Sequence, residues 1–237
     1  MWISSFRLRA TNRALEVVSL IFALSPKDTI ASGTEEPNLQ VLTAAELNDW
    51  FAKLTVHDTE TIQYDADGPF FTHSEANCLQ VEYPKKLERL PFLARTLATI
   101  TYESRDFAGA LLWFTGWGVW NYLEEGIGYR IVEAIHSAAG QPTSFENGPA
   151  HNFRGGELNE AIGLLLQPMV FGWDANCVPR WSYGPDQFFL HVSHDSFVTV
   201  VTRTKEYFDK TLEILTRLDF NPTEARKTYS QRFCHQR

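Results

Sequence analysis

Apolar positions recur along this chain with two periods, close to four residues in some segments and two in others, and the periods assign the elements. Leu15, Val18 and Phe22 share a stripe, while Val17, Leu20, Ile21 and Leu24 fill the opposite side. That pattern predicts a buried helix over the first 24 residues, followed by a loop with Pro26, Gly33 and Pro37. Thr43-Ala-Ala-Glu46 has the spacing of a capping box and predicts a helix over 44–54. Residues 60–64 and 69–72 flank Asp65-Ala-Asp-Gly68 and predict a hairpin, and the alternation over 78–83 predicts a strand. Pro91 splits the next helical stretch into 85–89 and 91–100.

The run from Phe107 to Trp117 has no polar face and predicts a strand buried on both sides. Val119, Leu123, Ile127, Ile131 and Ile135 recur every four residues and predict a helix from Asn121, with Gly140 as its stop. Gly126 and Gly128 weaken that helix and predict close packing there. Residues 140–156 read as a long loop, 157–166 as a helix ended by Pro168, and Met169–Trp173 as a strand. Strands at 188–193 and 196–202 flank His194-Asp195, and a helix over 204–218 follows. Sequential strands joined by hairpins predict an α+β fold. It has a mostly antiparallel sheet of about five to seven strands, helices packed on it, and a C-terminal helix after the hairpin. The expected organisation is a helical extension over 1–38, one domain over 39–220 and a basic tail over 221–237.

Composition narrows the class. Of 237 residues, 44% are hydrophobic and 21% charged, which excludes a disordered, collagen-like or disulfide-scaffold chain. The net charge of −8 disfavours binding to phosphate backbones, so nucleic acid is not an expected partner. The charge is uneven. Asp58, Glu60, Asp65, Asp67, Glu75 and Glu82 lie between Leu54 and Pro84 with no Lys or Arg among them. Cys78, Cys177 and Cys234 are odd in number and widely spaced, which points to a reducing compartment, the cytoplasm. Glu16, Lys27 and Asp28 argue against a signal peptide, and the 11-residue apolar run Ala110–Trp120 is too short to cross a membrane.

Candidate chemistry concentrates in two places. His191-Val-Ser-His194-Asp195 brings two imidazoles and a carboxylate together in sequence. On a strand, however, residues three apart point to opposite faces. A two-residue turn at His194-Asp195 would pair Val192 with Phe197 and His191 with Val198. His191 then reads as a core histidine on an apolar face, and His194 and Asp195 as turn residues. The second place is the loop around His151, Arg154, Gly155 and Gly156, where glycine amides at a helix start and a guanidinium suit an anion. Asp65-Ala-Asp-Gly68 is no calcium loop, because Pro69 occupies a ligand position. No metal or cofactor motif is present, and none is expected.

Three functions fit. The leading expectation is a non-catalytic protein-binding module whose acidic residues Asp58, Glu60, Asp65, Asp67 and Glu75 face a basic protein partner, resembling an immunity protein in charge alone. The second is a hydrolase-type site assembled from His151, Arg154, Asp174, His191 and His194. The third is a carbohydrate or small-molecule binder using Trp113, Trp117 and Trp120. No membrane partner is expected.

Overall fold

The computed structural model describes residues 39–54, 62–65, 68–71, 77–103, 110–115, 122–153, 157–178, 188–202 and 204–224. The predicted N-terminal helix lies outside them. In chain order the elements are β1 (Leu39–Leu42), α1 (Ala44–Leu54), β2 (Ile62–Asp65), β3 (Gly68–Phe71) and β4 (Asn77–Glu82). A 3-10 turn at Leu87–Arg89 leads into α2 (Leu90–Glu103), then β5 (Leu111–Thr115) and α3 (Tyr122–Ala138). The rest are β6 (Ala150–Phe153), α4 (Leu158–Phe171), β7 (Asp174–Val178), β8 (Phe188–Ser193), β9 (Phe197–Thr202), α5 (Lys205–Arg217) and β10 (Thr223–Glu224).

The fold is α+β, with one eight-stranded sheet ordered β1-β6-β5-β7-β8-β9-β4-β10 and a separate β2–β3 hairpin. Every neighbouring pair is antiparallel. The sheet therefore exceeds the five to seven strands expected. The excess comes from β1, β6 and β10, which have no recognisable period. β6 falls inside the expected loop 140–156, and its Ala-His-Asn-Phe sequence is buried at all four positions. β10 lies in the segment expected as a tail. At the β1 edge, Gln141 substitutes for a further strand: Val41 N–H donates to its Oε1 (3.0 Å), and its Nε2 donates to the Leu39 carbonyl.

Two layers cover the sheet. On one face Leu79, Val81, Leu112, Phe114, Leu190, Val192, Val198 and Val200 meet the inward sides of α2, α3, α4 and α5. On the other, Leu42, Leu111, Trp113, Ala150, Phe189 and Val201 pack with Leu47 and Trp50 of α1. Thr43 and Glu46 form the capping box as spaced: Thr43 N–H donates to Glu46 Oε2 (2.8 Å) and Glu46 N–H donates to Thr43 Oγ1 (3.3 Å).

Three expectations need correction. Pro168 does not end α4, which continues to Phe171 before Gly172 caps it in the left-handed conformation. Burial of Met169 and stacking of Phe171 on Trp173 (5.3 Å between ring centres) offset the missing backbone bond. The strand expected at 169–173 consequently starts at Asp174. Second, the β8–β9 loop has three residues, with Ser193 opposite Phe197. Ser196 takes a positive φ of 69°, and the Asp195 amide donates to Ser193 Oγ (3.2 Å). The one-residue slip turns each β9 side chain to the other face, so Val198 and Val200 join Val192 and His191 faces Thr199. Third, the buried line of α3 is Gly128, Val132 and His136, with Ile127, Ile131 and Ile135 half-buried beside it. A Cβ on Gly128 would come within 2.6 Å of the Trp173 ring, so the expected close packing occurs there; at Gly126 nothing lies within 4 Å.

Candidate functional site

Two histidine pairs lie at different depths in the sheet. The deeper one joins α3 to β6. His136 Nε2 lies 2.7 Å from His151 Nε2, and His136 Nδ1 lies 2.8 Å from the Thr143 carbonyl. A carbonyl only accepts, so Nδ1 of His136 carries a proton. In the neutral ring Nε2 then accepts, and His151 Nε2–H donates to it. Burial lowers the proton affinity of both rings, and His136 lowers that of His151 further. The pair is therefore a neutral relay ending on a carbonyl, edged by Phe114, whose ring stands at 80° to His151.

The shallower pair joins β7 to the β8–β9 loop. Asp174 Oδ1 accepts from the His194 amide and lies 2.9 Å from its Nδ1, and Oδ2 also lies 2.9 Å from Nδ1. Nε2 of the imidazole lies 3.5 Å from Asp195 Oδ1, and 43% of the side chain is exposed. Tyr83 holds this loop, its amide donating to the Ser196 carbonyl (2.8 Å) and its hydroxyl to that of Ser193 (3.0 Å). One row inward, His191 Nδ1–H donates to Asn176 Oδ1 (2.9 Å). Burial pushes His191 down to about 4 against the upward pull of Asp174; His194 adds to the fall and Asp195 opposes it. His191 is neutral near pH 7.

The structure thus brings together Asp174, His191 and His194 of the residues expected for a hydrolase. His151 belongs to the other pair, and Arg154, Gly155 and Gly156 lie outside the described residues. So do Asp58, Glu60, Asp67 and Glu75. Asp65 closes β2 opposite Gly68. Trp113 is buried within the sheet, while Trp117 and Trp120 fall outside the description. The sequence reading missed His136 and Asn176. Each is a polar residue on a buried line, and hydropathy gives no signal for such positions.

The arrangement supplies a carboxylate-oriented, half-exposed imidazole, a group that serves in general acid–base chemistry. The neighbouring Ser193 hydroxyl accepts from the Asp195 amide and is buried. Burial pushes the Cys78 and Cys177 thiols up to about 11 and about 12, leaving both protonated near neutral pH. Among the described residues no three His, Cys, Asp or Glu side chains converge on a metal position, and no helix is long and apolar enough to cross a membrane.

A distinct surface feature lies between α2 and α5. Their outward sides line an open groove of about 530 Å³. Phe92, 65% exposed, and Leu218, 42% exposed, stand at its rim.

Fold and site together define an α+β protein with a wholly antiparallel main sheet. No family model matches the chain, and no curated protein and no solved structure matches it either.

Proposed function

We propose that this protein is a non-catalytic protein-binding module acting in the cytoplasm. The observation that carries this reading is the α2–α5 groove. Each helix buries one side in the core through Leu93, Ala94 and Leu97 on α2 and Phe208, Thr211 and Leu215 on α5. Between the two helices Phe92, Ile100, Ile214 and Leu218 line a groove, with Phe92 and Leu218 exposed where a self-contained domain more often carries polar side chains. In the sequence Asp58, Glu60, Asp65, Asp67 and Glu75 form an acidic run, which suits a basic partner. Cys78 and Cys177 are both buried and form no disulfide among the described residues, which fits a reducing compartment.

Affinity capture with full-length protein from its own cell extract at low salt, followed by crosslinking, tests the reading. Phe92→Glu, or the combined change of Asp58, Glu60, Asp65 and Asp67 to Lys, should remove the captured partner. Identical capture by wild type and both variants overturns it.

A second reading rests on the Asp174–His194 pair, whose imidazole is 43% exposed. In that reading Asp174 orients His194 as an acid–base group for ester or amide hydrolysis. Hydrolysis of 4-nitrophenyl acetate should then fall to the buffer rate in His194→Ala. Equal rates in wild type and variant remove the hydrolase.

A further inference from the structure

We infer that the α2–α5 groove receives an acidic amphipathic helix from a partner protein. The inference rests on the protein-binding reading and specifies the chemistry of the partner segment. Its first support is the spacing of the groove-facing residues. On α2 Phe92, Arg95, Thr96, Thr99 and Ile100 line the groove, at intervals of three and four residues. On α5 Lys210, Glu213, Ile214 and Arg217, with Leu218 at its C-cap, do so with the same intervals. Each helix thus offers one continuous side to a third element lying between them.

The second support is length. From Phe92 to Ile100, and again from Lys210 to Leu218, eight helical steps span about 12 Å. Apolar anchors at i, i+4 and i+7 of a docking helix span about 10 Å, so three such side chains fit the groove.

The third support is charge. The groove carries Arg95, Lys210 and Arg217 against Glu213, a local cationic excess on a chain of net charge −8. Among the described residues Arg95 and Arg217 make no ion pair with an acidic side chain. A partner helix with carboxylates beside its apolar stripe meets this rim favourably, and one with lysines there meets it unfavourably. One end of the groove is fixed. Arg89 Nη1 bonds Asp219 Oδ2 (2.7 Å), its Nη2 bonds the Leu218 carbonyl (2.6 Å), and the guanidinium lies 5.0 Å from the Phe220 ring centre. This contact ties the start of α2 to the end of α5, so the groove is set before a partner arrives.

The experiment uses the full chain and three fluorescently labelled 16-residue peptides. One is a helix-forming peptide with leucines at i, i+4 and i+7 flanked by glutamates. The second replaces those glutamates with lysines, and the third scrambles the first. Anisotropy should show saturable binding of the glutamate peptide alone. Arg95→Glu with Arg217→Glu should weaken it at least tenfold and admit the lysine peptide. Phe92→Glu should abolish it while the circular dichroism spectrum and melting point stay unchanged. Absent or charge-indifferent binding overturns the inference, as does equal binding to the Phe92→Glu variant. A dimer by sedimentation that Phe92→Glu converts to monomer also overturns it, because the groove then serves a second copy. If the peptides fail while Phe92→Glu still abolishes capture of the natural partner, only the partner chemistry is wrong. If both fail, the protein-binding reading falls with it.

Discussion

The two histidine pairs use the same side chain in opposite ways. His136 and His151 are each fully buried and bond to one another, with the Thr143 carbonyl as the terminal acceptor. His194 sits at the sheet rim, partnered by a carboxylate and open to solvent. Buried imidazoles are costly to charge, so the inner pair is held neutral and acts as a hydrogen-bonded rivet between α3 and β6. The outer imidazole is half-exposed and lies between the carboxylates of Asp174 and Asp195. Depth in the sheet, more than residue type, separates structure from possible chemistry here.

The comparison breaks most visibly at His151. His151→Ala removes a buried ring, opens a cavity beside Phe114 and leaves His136 Nε2 without its donor. A loss of about 4 kcal/mol is expected from the cavity and the stranded acceptor together. The equivalent change in the outer pair, His194→Ala, should cost under about 0.5 kcal/mol, as surface substitutions do. Urea unfolding of both variants measures the contrast, and equal losses would erase the distinction between the pairs.

Acid should sharpen the same contrast. His136, His151 and His191 all take up protons less readily folded than unfolded. Below the ordinary histidine value near 6.5 the unfolded chain therefore binds more protons, and stability falls as pH falls. It is fully present above that value. For His191, the drop to about 4 corresponds to about 3 kcal/mol lost across that window. Urea midpoints at pH 7.5, 6 and 5 should decline steadily. A variant carrying His136→Gln and His151→Leu should show a flatter decline, and a slope equal to wild type would mean that the pair is not held neutral.

Much of this fold was legible in the residues. The capping box placed α1 at 44–54, the Asp-Ala-Asp-Gly turn placed the β2–β3 hairpin, and the spacing of Phe208, Leu212 and Leu215 placed α5. Those signals are local. The failures were set by distant partners. β6 is a strand because β1 and β5 bond both of its edges, and nothing in Ala-His-Asn-Phe shows that. Pro168 stays helical because the core beyond it is worth more than one backbone bond. Of the candidate site, Asp174, His191 and His194 were identified singly, but their convergence depends on β7 lying beside β8. The partner of His151 was invisible, since His136 is 15 residues away on another element. The groove escaped notice because Phe92, Ile214 and Leu218 read as ordinary helix residues until the core sides of α2 and α5 are known.

The smallest effect tests the outer pair from its acidic side. Asp174→Asn keeps an oxygen that can accept from the His194 amide, so the loop backbone loses little. What goes is the charge opposite Nδ1 and the second accepting oxygen at 2.9 Å. For a pair 43% and 21% exposed on its two side chains, solvent screens most of that attraction. The expected loss in thermal or urea stability is about 0.3 kcal/mol, with hydrogen exchange faster at the amides of 194–196 and unchanged at β5 and β6. A loss of several kcal/mol, or exchange spreading into β6, would mean that the rim and the core histidines form one cooperative unit. The difference in depth would then not separate their roles.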